Sequence, residues 1–270
     1  MGIITISRGS YTKGKEIAEK VAKKLGYDCV ARETLLEASQ EFNVPEIKLV
    51  RALHDAPSIL DRFSYGKEKF LAFYQSSFLK HLQKDNIVYH GLAGQFLLKG
   101  VHHVLKVRII ADMADRVKFE MEREKISEKQ ACRLLKNDDE ERSKWSKYVH
   151  GIDTNDPSLY DLVIKTRKIS VDDAADIICH AAKLNAFATS PESKQAFDNL
   201  LLAANVKVAI IDIAPASEVV AKDGVVSIKT SASDEYSEKD MTATIIETAQ
   251  KITGVKKVEV YVMPVLPFNA

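Results

Sequence analysis

The chain has 270 residues, is 46% hydrophobic and 29% charged, and carries a formal net charge of +1. That balance is globular, with length for one large core or a core and a smaller second unit, and it excludes a broad cationic surface for nucleic acid. Cys29, Cys132 and Cys179 are far apart, odd in number and without a C-x-x-C pair, which excludes a disulfide frame and a zinc site. No basic leader, cleavage site or membrane-length apolar run precedes or interrupts the pattern, and Ile6 occupies the Ser/Thr position that myristoylation needs. A cytoplasmic protein without membrane insertion is expected.

Ile3-Ile4-Thr5-Ile6 is short and β-branched, as a buried parallel strand should be. A helical stripe of Ile17, Val21 and Leu25 follows, stopped by Gly26. Between them, Gly9-x-x-x-x-Gly14-Lys15 stands in the strand-loop-helix context of a phosphate cradle. The candidate nucleotide-binding residues are Gly9, Ser10, Thr12, Lys13, Gly14, Lys15 and Glu16, with Lys15 as a point charge near the outer phosphates. Glu16 stands where a magnesium-binding Ser or Thr usually sits, and on the loop alone an ordinary strand-to-helix turn remains equally open.

Tyr27-Asp28-Cys29-Val30 is a second strand candidate. Helical segments are expected at 33–40, 45–54 and 67–83, broken at Asn43-Val44-Pro45 and Asp55-Ala56-Pro57-Ser58. Such an insertion between strands is either a substrate-covering subdomain or plain helical packing. Strands are expected at 86–90, 104–111 and 160–164, with helices at 93–99 and 112–125. Two further helices open at Ser127-x-x-Gln130, a capping-box spacing, and at the cap Ser170. Five strands alternating with helices predict a parallel sheet, whose ligands bind beyond the carboxyl ends of the strands.

Between 112 and 156, arginines and lysines are interleaved with carboxylates. A solvated helical face explains most such mixtures, yet a phosphoryl-transfer enzyme needs only a few of these guanidinium groups. From Ala186 to Glu192 the chain reads as a linker. A smaller unit follows: helix 193–204, strands at 206–213, 217–222, 225–230 and 256–263, a hairpin turn at Asp223-Gly224, and helix 238–252.

Several stretches together resemble the cytidylate kinase-like family of nucleoside monophosphate kinases. They are Ile4-Thr5-Ile6-Ser7-Arg8 with Gly14-Lys15-Glu16; Asp115-Arg116 followed by Met121-Glu122-Arg123-Glu124; Asp139-x-x-Arg142; and Asp156-Pro157-x-x-Tyr160-Asp161-Leu162. The resemblance covers about residues 1–184. It implies an α/β P-loop kinase fold with a five-stranded parallel sheet, a helical monophosphate-binding insertion and a lid. It further implies transfer of the γ-phosphoryl group of ATP, with Mg2+, to a nucleoside monophosphate, CMP or dCMP by family. Carried onto this chain, the catalytic residues are Lys15, Arg116, Arg123, Asp139 and Arg142, with Arg142 reaching the phosphates on lid closure. No protein-held metal is expected. The tail, about 195–265, resembles a BON domain through Asp223-Gly224-Val225-Val226-Ser227-Ile228 and Gly254-Val255-x-x-Val258, implying a small α+β sensing or assembly module.

The expected units are therefore 1–186, kinase-like, and 193–270, BON-like, with a nucleoside monophosphate or another small molecule as partner, a homo-oligomer among the assemblies, and no nucleic acid. The chain departs from the family at Tyr11-Thr12-Lys13, where several glycines are usual, at Ala31, where an acidic residue is common, and at His90-Gly91, where Gly-Arg is typical. These departures keep a second function open: a nucleotide-binding regulatory protein with weak or lost turnover.

Overall fold

The apolar N-terminal run forms β1 (Ile3–Arg8), the middle strand of a five-stranded sheet in a computed structural model that describes residues 2–9, 12–31, 66–91, 94–231 and 238–263. Its neighbours are β2 (Asp28–Val30), β3 (Ile87–His90), β4 (Val104–Ala111) and β5 (Leu162–Thr166), ordered β2-β3-β1-β4-β5 and all parallel. The register pairs Ile3 with Ile87 on one side and Val104 on the other, and Ser7 with Arg108.

Both faces are covered, which is why β1 is apolar with little alternation, whereas β4 alternates, with Lys106 and Arg108 between the buried Leu105, Val107 and Ile109. On one face, α1 (Gly14–Leu25) and α6 (Val171–Ala182) bury Ile17, Val21, Ala175 and Ile178 against Ile4, Ile6, Val107 and Ile164. Lys20–Asp172 and Lys24–Asp176 tie these two helices at 2.7 and 2.5 Å. On the other face lie α2 (Gly66–Leu82), the single turn α3 (Gly94–Leu97) and α5 (Glu128–His150), which bury Phe78, Leu97 and Trp145 around Ile3, Ile87 and Tyr89. Helix α4 (Met113–Glu124) packs on α5 through Val117, Ala131 and Leu135. The Ser127–Gln130 capping box opens α5, and a second box at Ser170 opens α6.

The fifth strand begins two residues later than its apolar pattern suggested. Asp156 caps a short 3-10 turn, Pro157–Leu159, and Asp161 bonds the backbone of Lys106, so Tyr160 is held before the strand, with its ring turned inward. The helices expected at 33–40 and 45–54 lie outside the described residues, as does Ser10.

Helix α7 (Pro191–Ala209) is longer than expected, and the strand expected at 206–213 is its last turn followed by the turn Ile210–Ile213. A short apolar run is ambiguous between helix and strand, and here the spacing of Ala203, Val206 and Ile210 places all three on one buried helical stripe. The opposite stripe, Phe197, Leu201 and Ala204, belongs to the core around Phe78 and Trp145. Helix α7 is thus shared by two cores. The second core is closed by β6 (Glu218–Lys222), β7 (Val225–Ser231), α8 (Glu238–Gln250) and β8 (Lys257–Met263), with β6 and β7 antiparallel and β7 and β8 parallel. Asp223 (φ 53°) and Gly224 (φ 88°) both adopt the left-handed conformation that a two-residue hairpin turn requires.

Candidate active site

Beyond the carboxyl ends of β1 and β4 a cavity of about 260 Å³ opens. Its floor is the end of β1 and the loop after it. The Thr12 hydroxyl donates to the Gly9 carbonyl at 3.2 Å, and Lys13, in the left-handed region at φ 60°, turns the chain into α1. No side chain caps that helix, so its leading N–H groups carry the positive end of the dipole without a protein acceptor from the cap. Gly14 is there because a Cβ would lie 2.7 Å from the Arg8 side chain, which folds across the start of α1.

The other walls come from β4, α4, α5 and the segment before β5: Arg108, Arg116, Asp139, Arg142 and Asn155, joining Ser7 and Arg8. Arg116, 8% exposed, donates two hydrogen bonds to the Asp139 carboxylate at 2.7 and 2.8 Å. Arg142 donates to the Arg8 carbonyl at 3.2 Å, which docks the middle of α5 on the end of β1. Four arginines therefore surround a space whose lining holds a single carboxylate, Asp139. A low-dielectric cavity with that balance attracts anions.

Tyr160 is the hub of the far wall. Its hydroxyl donates to the Thr154 carbonyl at 2.9 Å and accepts from Arg108 at 3.1 Å and Gln95 at 3.4 Å. Arg108 also reaches Ser7 at 3.4 Å and Asn155 at 3.0 Å, and its guanidinium lies 5.4 Å from the Tyr160 ring centre. A second cleft of about 380 Å³ adjoins the first across Thr12, Ala111 and Arg116, with Phe119, Ile169 and Val171 giving it apolar surface.

Of the residues expected at the site, Gly9, Thr12, Arg116, Asp139 and Arg142 line the first cavity, and Lys13 lines the second. Lys15 is exposed, with its ammonium 3.7 Å from Glu19, and Glu16 is exposed in the first turn of α1. Arg123 faces away from both, bonded to the fully buried Glu120 at 2.9 Å and to Glu124 at 3.0 Å. The glycine at 91 has a local cause: the Tyr89 hydroxyl fills the space its Cβ would take, so this position has no room for the arginine a family pattern would put there. His90 is buried at the end of β3, outside the cavity lining.

Arg8, Arg108, Tyr160 and Asn155 were not expected at the site. One signal was available for Arg108: a charged residue inside Val104–Ala111 contradicts a strand buried between two layers of helices. Arg8 stood in the family-like stretch, but nothing in the order of residues tied it to α5.

The model of the cytidylate kinase-like family matches residues 3–168. A curated cytidylate kinase of Methanosarcina acetivorans is 36% identical over 100 residues, covering 36% of this chain and 54% of that protein, so the chain spans about half the length of this relative. Among solved structures, an uncharacterized protein from Eubacterium ventriosum superposes with a TM-score of 0.53 at 22% identity, over 67% of this chain and 97% of the other. A shikimate kinase from Bacteroides thetaiotaomicron aligns at 8% identity with a TM-score of 0.43, over 68% and 99%.

Proposed function

The chain belongs to the cytidylate kinase-like family, and on that premise we propose that it transfers the γ-phosphoryl group of ATP to a nucleoside monophosphate, with CMP or dCMP as acceptor. The observation that carries this reading is the cavity itself: four arginines against one carboxylate, at the meeting point of the phosphate-loop end, β4 and the lid-like helix α5. Phosphoryl transfer asks little covalent chemistry of a protein. It asks for alignment and for cations around three equatorial oxygens that gain charge.

The roles follow from position. The loop from Gly9 to Gly14 and the uncapped start of α1 would hold the donor phosphates, with Lys15 swinging in from its exposed place. Arg116 and Arg142 would meet the phosphates as α5 closes, and the carboxylate of Asp139 would give way to phosphate oxygens. The adjoining cleft, with Phe119 and Ile169, offers a nucleoside apolar surface. Arg123 would keep the lid helices in register through Glu120.

ATP fits this donor set because every wall of the cavity supplies cations or hydrogen-bond donors. Magnesium fits as well: a nucleotide-bound Mg2+ takes most of its ligands from phosphates and water and needs one or two carboxylates at most. No cluster of three potential ligands occurs among the described residues, and Asp139 in the cavity, Asp115 in the adjoining cleft and Glu16 in the first turn of α1 are the carboxylates at hand. When bound, the ion supplies neutralisation of the developing charge. The unit beyond residue 193 is proposed as a BON-like sensing or assembly module joined to the kinase-like core by α7.

A coupled assay with ATP, Mg2+ and a panel of nucleoside monophosphates tests the reading. CMP or dCMP should be the preferred acceptor. Tight ATP binding with no acceptor phosphorylated would favour the regulatory alternative instead.

A further inference from the structure

Arg108 occupies an unusual place for a cation. It lies in the middle of β4, beside β1, with its neighbours Val107 and Ile109 fully buried. Its side chain is half-buried, and a guanidinium partly withdrawn from water is ordinarily offset by a carboxylate. Arg108 has none. Its partners are the neutral oxygens of Ser7, Tyr160 and Asn155, and no ion pair holds it among the described residues.

The partners leave part of the guanidinium available. Two N–H groups of Nη1 are used by Ser7 and Tyr160 and one of Nη2 by Asn155, so the Nε–H and a second Nη2–H have no protein acceptor among the described residues. The Tyr160 proton is committed to the Thr154 carbonyl, which can only accept, so the hydroxyl presents lone pairs to Arg108. Asn155 is itself fixed by Asp153, whose carboxylate accepts its backbone N–H at 3.0 Å and pairs with Lys147. The charge is thus aimed into the cavity and left without a counter-ion.

We infer that Arg108 is a phosphate-binding residue of this cavity, contacting phosphoryl oxygens of the bound nucleotide, and that Ser7, Tyr160 and Asn155 are the positioning residues that aim it. The inference rests on the phosphoryl-transfer reading of the same cavity and gives a specific role to a residue that reading counts only as part of the cavity's charge. Arg116 meets Asp139 before any ligand arrives, whereas Arg108 meets an anion only when phosphate enters.

The test uses the full chain and tripolyphosphate, which carries the charge of the donor without base or ribose. Titration calorimetry should show Arg108→Gln binding tripolyphosphate roughly 10- to 100-fold more weakly than the wild type, the size of a charged hydrogen bond. Arg108→Lys should fall between them, since it keeps the charge and loses the fork. Tyr160→Phe, which leaves the charge and removes its guide, should lower phosphoryl transfer more than tripolyphosphate affinity. Should Arg108→Gln not fold, arginine-directed dicarbonyl labelling of the wild type answers the same question: tripolyphosphate should shield Arg108. Equal affinities of folded wild type and Arg108→Gln, undiminished labelling, or no tripolyphosphate binding by the wild type would each overturn the inference. Arg108-dependent binding without any acceptor being phosphorylated would leave it standing and remove the kinase reading. Phosphoryl transfer untouched by Arg108→Gln would do the reverse.

Discussion

Arg116 and Asp139, 23 residues apart, meet through two parallel hydrogen bonds of 2.7 and 2.8 Å that hold α5 against the start of α4. Arg116 is 8% exposed and the Asp139 side chain 37%, so one partner is desolvated and the other is at the cavity edge. Breaking such a pair deprives a buried charge of its bidentate carboxylate, and with the carboxylate's partial exposure discounted, Asp139→Asn should cost roughly 1–3 kcal/mol of stability. A bound anion would replace the missing carboxylate. Tripolyphosphate should therefore raise the melting temperature of Asp139→Asn more than that of the wild type; an equal rise in both would reject Arg116 as a phosphate contact.

Lys15 separates affinity from stability. Its only hydrogen-bonded or ionic neighbour among the described residues is Glu19 at 3.7 Å, an exposed i,i+4 pair worth about 0.3–0.5 kcal/mol. Lys15→Ala should leave urea denaturation nearly unchanged while weakening ATP binding by about 1.5–3 kcal/mol. Unaltered ATP affinity in calorimetry would mean that the loop from Gly9 to Gly14 does not hold the donor phosphates.

The shared helix makes a prediction about truncation. A division into units 1–186 and 193–270 expects residues 1–184 to fold alone. Ending the chain at Leu184 nevertheless removes Phe197 and Leu201 from the core around Phe78 and Trp145, a loss of about 3–6 kcal/mol at 1.5–3 per buried side chain. The fragment 1–209 retains them. It should melt well above 1–184, and matching melting curves would show that α7 contributes nothing to the first core.

His150, the last residue of α5, has its ring 5.2 Å from Phe96 and 5.4 Å from Trp145, and its Nε2 finds no hydrogen-bond partner among the described residues. Burial, aided by the nearby Lys67 charge, lowers its pKa from 6.5 to about 4. A helix C-terminus favours a cationic histidine by 1 kcal/mol or so, which burial here outweighs. Since the folded value lies below the unfolded one, the unfolded chain takes up a proton that the folded chain refuses. The resulting stability loss begins near pH 6.5 and is complete near pH 4, amounting to roughly 3 kcal/mol at 1.36 per unit. In His150→Phe the fall in stability between pH 7 and 4 should be shallower by that amount. Parallel pH profiles for the two proteins would contradict a buried neutral imidazole.

The sheet and its helices were legible in sequence because their signals are local. β-branched runs, a 3.6-residue stripe, Ser-led capping boxes at 127 and 170 and the Asp223-Gly224 turn each act within a few residues. The same locality explains the misreading at 206–213: the apolar run there is compatible with either period until one knows what packs on it, and α7 is a helix there because two cores use its opposite faces. At the site, Gly9, Arg116, Asp139 and Arg142 could be named from spacing and resemblance alone. That Arg116 clamps Asp139, that Arg142 reaches the backbone of Arg8, and that Arg108 is aimed by Tyr160 could not, for these contacts join residues 23, 134 and 52 positions apart. Sequence order carries the periodicity that makes strands and helices; only the parallel register of β1 with β4, and the docking of α5 across their ends, decides which charges share a cavity.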